Sequence, residues 1–161
     1  MRYKLIQLSF FTICVLMYQT MWSQQAGSPN ILNFSKSDFQ GGSQTMEIQQ
    51  LNNGYICAAN NHGLLIFDGT SWQCFRQPNQ TIMRSIEVVG DRIYCGGQNE
   101  LGYFTFETGA AKYNSLLHLL PPALSNIGDV WQIQSVNKKL IFRTSEQLFS
   151  LENEKLILLA E

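Results

Sequence analysis

The stretch from Asn60 to Trp72 reads NNHGLLIFDGTSW, and the stretch from Gln98 to Gly109 repeats its pattern as QNELGYFTFETG. Both pass from polar residues through Gly to bulky apolar residues, then to Phe followed by an acid. A self-similar period constrains a chain more than composition does, because each copy must be a unit that its neighbours complete. With Ile48 as the origin of a first copy, the second has its origin at Ile86 and the third at Ile133, spacings of 38 and 47 residues. Tyr55-Ile56-Cys57 falls on Ile93-Tyr94-Cys95 and on Leu140-Ile141-Phe142, and Ala58-Ala59 falls on Gly96-Gly97. After one added residue, Gly63-Leu64-Leu65 meets Gly102-Tyr103-Phe104, while Leu148-Phe149 matches Leu64-Leu65.

Each copy reads as strands. Apolar and polar residues alternate around Met46-Ile48 and Trp131-Ile133, the period of a half-buried strand. Asn52-Asn53-Gly54, Gly90-Asp91 and Asn137-Lys138 are turn chemistry between the first two strands. Continuous apolar runs follow, as expected where both sheet faces are covered. Gly63 and Gly102 are set at the opening of the third strand, where close approach or an unusual backbone angle excludes a side chain. Trp72–Phe75, and the region of Tyr113, supply an outer fourth strand. The extra residues of the longer spacing fall in 114–128, where a helical turn is expected at Leu116–Leu120 before Pro121-Pro122.

Four antiparallel strands in about 40 residues, repeated, predict an all-β fold of propeller blades. A twisted sheet that is apolar on both faces cannot cover itself, and radial stacking buries each face on the next. The expected architecture is a partial β-propeller over 24–161, with three four-stranded blades near 45–76, 82–115 and 129–159 and an insertion at 114–128. A helical solenoid would need a 3.6-residue period, which is absent.

Ahead of the repeats, Arg2 and Lys4 precede an apolar run from Leu5 to Met17 and a polar exit, YQTMWSQQ. This is the layout of a secretory signal peptide, expected to span 1–23 with cleavage before Gln24. The run is shorter than the ~20 residues needed to span a bilayer. Lipoprotein attachment at Cys14 would need a small residue before it, and Ile13 is not small. The formal net charge of −1 offers no electrostatic grip on nucleic acid. Cys57, Cys74 and Cys95 follow the signal segment, and an odd count without CxxC reads as buried strand thiols rather than a zinc site.

Taken together, GLLIFDGTSW and MRSIEVVGDRIYCGGQNELGYF resemble the N-terminal propeller of the triple-tyrosine-motif sensors of Bacteroidetes-type bacteria, among the two-component-regulator propeller proteins. The resemblance covers roughly Asn30 to the end, and GGQNELGYF is its most specific piece. Copy one carries Met46 where the pattern has Trp. Copy three keeps Trp131 but has Gln147 in place of Gly. The resemblance implies a periplasmic propeller followed by a three-tyrosine β-sandwich, one membrane span and a histidine kinase or LuxR-type helix-turn-helix output. On that reading the 161 residues are the start of a longer protein that meets the membrane only through its downstream part and dimerises when complete.

In a four-stranded meander, the loop between strands two and three opens on the same end as the connector to the next blade. This places Asn60, Asn61 and His62 on one rim with Gln98, Asn99 and Glu100, and with Ser145 and Glu146. Such amides and carboxylates suit hydrogen bonding to a small polar ligand, sugars included, or to a protein partner. The same residue types are also ordinary turn formers. His62 has no nucleophile or second His at working spacing, and Asp68 and Glu107 recur as turn acids. No catalytic set, cofactor site or metal site is expected. Trp72 and Trp131 are expected to pack between blades. The function that the resemblance implies is a non-enzymatic, extracytoplasmic sensory segment. A secreted adhesion or scaffold propeller, or a propeller enzyme fragment, are the competing readings.

Overall fold

The computed structural model describes residues 30–107, 110–121, 124 and 126–160, with Tyr3, Phe11 and Gly27. The expected signal segment therefore lies, Tyr3 and Phe11 apart, outside the described residues. The chain divides into two units, Met1–Asn33 and Phe34–Glu161. In the first, Ile31 and Leu32 are exposed coil. Among the described residues no helix is long and apolar enough to cross a membrane.

The second unit is three four-stranded antiparallel meanders. Blade 1 comprises β1 (Thr45–Gln50), β2 (Ile56–Asn60), β3 (Gly63–Phe67) and β4 (Trp72–Phe75). Blade 2 comprises β5 (Met83–Val89), β6 (Arg92–Gly97), β7 (Glu100–Glu107) and β8 (Ala110–Ser115). Blade 3 comprises β9 (Val130–Val136), β10 (Lys139–Thr144), β11 (Leu148–Glu152) and β12 (Lys155–Ala160). The first strands are neighbours, with β5 lying between β1 and β9. That is the radial arrangement of a partial propeller.

Alternation along each strand makes two apolar cores. Cys57, Leu64 and Ile66 of blade 1 meet Ile86, Ile93, Cys95 and Phe104 of blade 2. On the other side of blade 2, Tyr94 and Leu101 meet Ile133, Leu140, Phe142 and Phe149 of blade 3. A 3-10 turn at Leu117–Leu119 follows β8, and Leu116, Leu117, Leu119 and Leu120 pack into this second core. At the inner edge, side chains of one blade satisfy backbone groups of the next. Gln49 Oε1 accepts from Val88 N at 2.9 Å, and Glu47 Oε2 accepts from Ile86 N at 3.0 Å. Glu87 Oε1 accepts from Ser135 N at 2.8 Å, one blade further on and at the position equivalent to Gln49.

The origin isoleucines report which faces are covered. Ile86 is 0% exposed and Ile133 2%, whereas Ile48 is 65% exposed. Each lies on the face turned toward the preceding blade, and among the described residues no sheet stands against that face of blade 1. The outer part of that face is instead covered by the segment from Phe34. This segment includes a short helix, α1 (Lys36–Phe39), whose Ser35 N donates to Asp38 Oδ2 at 2.6 Å. Trp72 packs here, stacked on Phe67 with a centroid distance of 4.9 Å and edge-on to Phe34 and Phe39. Its place is thus the face of blade 1 turned away from blade 2, not the space between blades that the repeat suggested. The reason is the period of two: Phe75, three residues on, takes the inter-blade face against Phe104 and Phe106.

The registers differ from the sequence alignment by one residue. Ile48 pairs with Ala58, but Ile86 pairs with Cys95 and Ile133 with Phe142. The connection between the first two strands is longer in blade 1, so Cys57 is equivalent to Tyr94 rather than to Cys95. Consequently Cys57 and Cys95 face each other's blade within one core, and both thiols are free, as is Cys74. Burial pushes Cys57 up from 9.0 to about 11 and raises Cys95 and Cys74 as well.

Gly63 does open β3. It sits at φ +139°, and a Cβ there would strike the backbone oxygen of Phe75. Gly102 is instead the third residue of β7, opposite Cys95, with no unusual backbone angle. Close approach alone excludes a side chain, since a Cβ would meet the Tyr113 ring and lie 2.5 Å from Asn114 O.

Gly102→Val is expected to cost more than about 3 kcal/mol, because the obstruction includes backbone; urea unfolding measures it. In the folded chain, iodoacetamide at neutral pH is expected to label Cys74 and spare Cys57 and Cys95, as peptide mass mapping would show. A thiol with a raised folded value stabilises fully below its unfolded value. The Cys57 contribution should therefore be lost as pH climbs from 9.0 to about 11, visible as a falling melting temperature.

Candidate functional site

The loops between second and third strands and the connectors between blades share one end of the assembly. The described residues there build a cleft of about 620 Å³ at the junction of blades 2 and 3. Gln98 and Asn99 from the β6–β7 turn face Ser145 and Glu146 from the β10–β11 turn. Asn79 and Thr81 from one connector and Asn126–Asp129 from the next complete the wall.

Local chemistry holds these loops. Asn99 takes φ +49°, a conformation Asn tolerates. Its backbone N donates to Gly128 O at 2.8 Å, and its Oδ1 accepts from Ile127 N at 3.1 Å. The Gln98 carbonyl accepts from Asn79 Nδ2 and Thr81 Oγ1, leaving its side chain exposed. Thr144 Oγ1 accepts from the backbone of Glu146 and Gln147, closing the opposite turn. Beneath the cleft, Arg84 pairs with Asp129 at 3.0 Å and lies 4.2 Å over the Trp131 ring. Trp131 Nε1 donates to Ser145 Oγ at 3.0 Å. Trp131 thus joins blades 2 and 3 under the rim while remaining partly exposed.

The expected rim residues separate into three groups. Gln98 and Asn99 join Ser145 and Glu146 around the cleft. Glu100, next in sequence, turns inward and is 5% exposed. Its Oε1 accepts from Tyr113 OH at 2.8 Å, Ser115 Oγ at 3.2 Å and Leu101 N at 3.2 Å. Burial, with Cys95 and Glu100 close by, pushes the Tyr113 hydroxyl well above the usual phenol range, so it remains a donor. Asn60, Asn61 and His62 stand on blade 1 and do not line the cleft. Asn60 is fully buried: its Oδ1 accepts from Gly42 N at 2.7 Å and His62 N at 3.0 Å. Its Nδ2 donates to Gly42 O at 3.1 Å and Thr45 Oγ1 at 3.2 Å. Asn61 pairs through its backbone N with Gln44 O at 3.0 Å, and His62 is exposed.

The sequence pattern alone does not place Asn79, Thr81, Asn126 and Asp129 on the rim. The available signal was topological, because blade connectors open on the same end as the second turns. Asp68 caps its turn, accepting from Thr70 N at 2.8 Å and Ser71 N at 2.7 Å, and these bonds hold its carboxyl below the usual range. Among the described residues no three His, Cys, Asp or Glu side chains converge as a metal-binding group.

No family model matches the chain, and no curated protein matches it. Solved structures do. One is the extracellular domain of the putative one component system BT4673 from B. thetaiotaomicron, at 20% identity and a TM-score of 0.55. A second, described as the extracellular domain of the putative hybrid two component system BT4673 from the same organism, matches at 19% identity and the same TM-score. Each match covers 71% of this chain and 15% of the solved one. The likeness shows the fold: this chain is built like a stretch of those extracellular domains.

Asn60→Ala is expected to cost about 2–4 kcal/mol, since it orphans buried backbone groups of the 41–45 segment. Denaturant unfolding measures the loss, and faster trypsin cleavage after Lys36 would show that the covering segment has come away.

Proposed function

We propose that this chain is the opening part of an extracytoplasmic sensory propeller, exported to the periplasm, that binds a small neutral polar ligand at the rim of blades 2 and 3. The observation that carries this reading is the cleft of about 620 Å³. Its walls present amides, hydroxyls and carboxylates from four separate loops over an ion-paired, rigid base. Its size falls within the ~300–1,000 Å³ typical of small-molecule sites. Among the described residues the side chains of Gln98 and Glu146 and the Asn99 Nδ2 are not spent on internal hydrogen bonds, and such amide and carboxylate groups fit a polyhydroxylated ligand, whose hydroxyls both donate and accept. Glu100, Asn60 and their partners act as supports, because their hydrogen bonds are spent internally.

The likeness to extracellular domains of signalling systems supports a sensory role for a longer parent protein, as does a span of 15% of those structures. The 65% exposure of Ile48, at a position buried in both other blades, fits a further sheet standing against that face in a longer parent. On this reading the segment carries no chemistry. Ligand occupancy at the rim alters how blades 2 and 3 lean on each other, and the downstream output reads that strain.

The reading is tested by melting the chain against a panel of neutral disaccharides. A true ligand at 100 times its Kd stabilises by about 2.7 kcal/mol. Replacing Gln98 and Glu146 together by Ala is expected to weaken that protection about tenfold or more. Protection by no member of the panel, or equal protection of the double variant, would overturn the rim site.

A further inference from the structure

A second cavity lies at the opposite end of the molecule, where the first and third turns of blades 1 and 2 meet, and the proposed rim site gives it no role. It has a volume of about 460 Å³. Ile66 and Phe75 of blade 1 and Val88, Ile93 and Phe106 of blade 2 form its floor. Phe75 and Phe106 meet edge to face at 5.3 Å, and Phe106 stays 37% exposed. A wedge this large and apolar between two docked sheets is not closed by the packing that buries Ile86 beside it.

The mouth has the opposite chemistry. Asp68 and Asp91 stand at it with Asn52, Asn53 and Tyr55, whose side chain is 40% exposed. No Lys, Arg or His lines the cavity. Arg92, next to Asp91, turns its guanidinium to the other face of blade 2, 4.6 Å over the Tyr103 ring. Neither aspartate belongs to an ion pair among the described residues. The hydrogen bonds from Thr70, Ser71 and the Ser71 hydroxyl keep Asp68 ionised without bringing a cation to it.

We propose that this cavity is a binding site for a small organic amine with an aromatic or branched alkyl body. The body is taken by the apolar floor, and the ammonium group is held at the mouth between Asp68, Asp91 and the Tyr55 ring. Burial of the body supplies affinity, and the two carboxylates supply selectivity for positive charge over neutral or anionic analogues. The inference is independent of the rim reading. It concerns different loops and the opposite ligand chemistry.

The test uses the full chain and three probes of one shape: tryptamine, 3-methylindole and indole-3-acetate. Tryptamine is expected to bind saturably in the millimolar range or tighter, shifting the NMR signals of Tyr55, Val88 and Ile93. The neutral probe should bind about tenfold more weakly and the acetate not at all. D91K, in an exposed turn, should keep the wild-type melting transition, lose tryptamine affinity about tenfold or more, and gain affinity for the acetate. V88W, which fills the floor, should lose both tryptamine and 3-methylindole. Absence of saturable tryptamine shifts, equal binding of the acetate, or unchanged tryptamine affinity in folded D91K would each overturn the proposal.

Discussion

Everything in this structure rests on one sheet burying its face against the next while side chains of the first strand satisfy the next blade's open edge. Apolar area supplies the attraction, but a first strand also presents backbone N–H groups on its inner side. Glu47, Gln49 and Glu87 meet those groups with carboxylate and amide oxygens at 2.8–3.0 Å. An unsatisfied edge would otherwise be a site for unwanted pairing. Blade 2, covered on both sides, is the most completely buried, with Ile86, Cys95 and Leu101 at 0% exposure.

Blade 1 shows how the chain treats a face against which, among the described residues, no other sheet stands. The segment from Phe34 through Gly42 lies over Phe67 and Trp72, and Asn60 clamps it by bonding both backbone groups of Gly42. The inner part of the same face, at Ile48, remains open. An asparagine that reads in sequence as a rim ligand is therefore spent on holding a cover in place. Glu100 is spent in the same way on Tyr113 and Ser115.

The two ends of the wedge-shaped junctions differ in chemistry for a topological reason. One end gathers the second turns and the blade connectors, which bring Asn, Ser and Thr side chains to it. The other gathers the first and third turns, where no blade connector crosses the junction and the apolar sheet faces show between the Asp68 and Asp91 corners. The same stacking thus yields a polar cleft between blades 2 and 3 and an apolar one between blades 1 and 2.

Local chemistry was enough to declare three four-stranded units, their order and most of their turns, because alternation, Asn-Gly and Asp-Gly corners and the Ile48, Ile86 and Ile133 spacing are carried by neighbouring residues. Which face each residue takes was decided only in the tertiary structure. A longer connection between β1 and β2 shifts the pairing by one residue, and with a period of two that shift moves Cys57 and Cys95 onto a shared core, while the β7–β8 pairing places Gly102 under Tyr113. The rim followed the same division: its end of the molecule could be read from topology. Whether Gln98 or Glu100 faces solvent was decided by Tyr113 and Ser115 of β8, whose hydroxyls draw the Glu100 carboxylate inward.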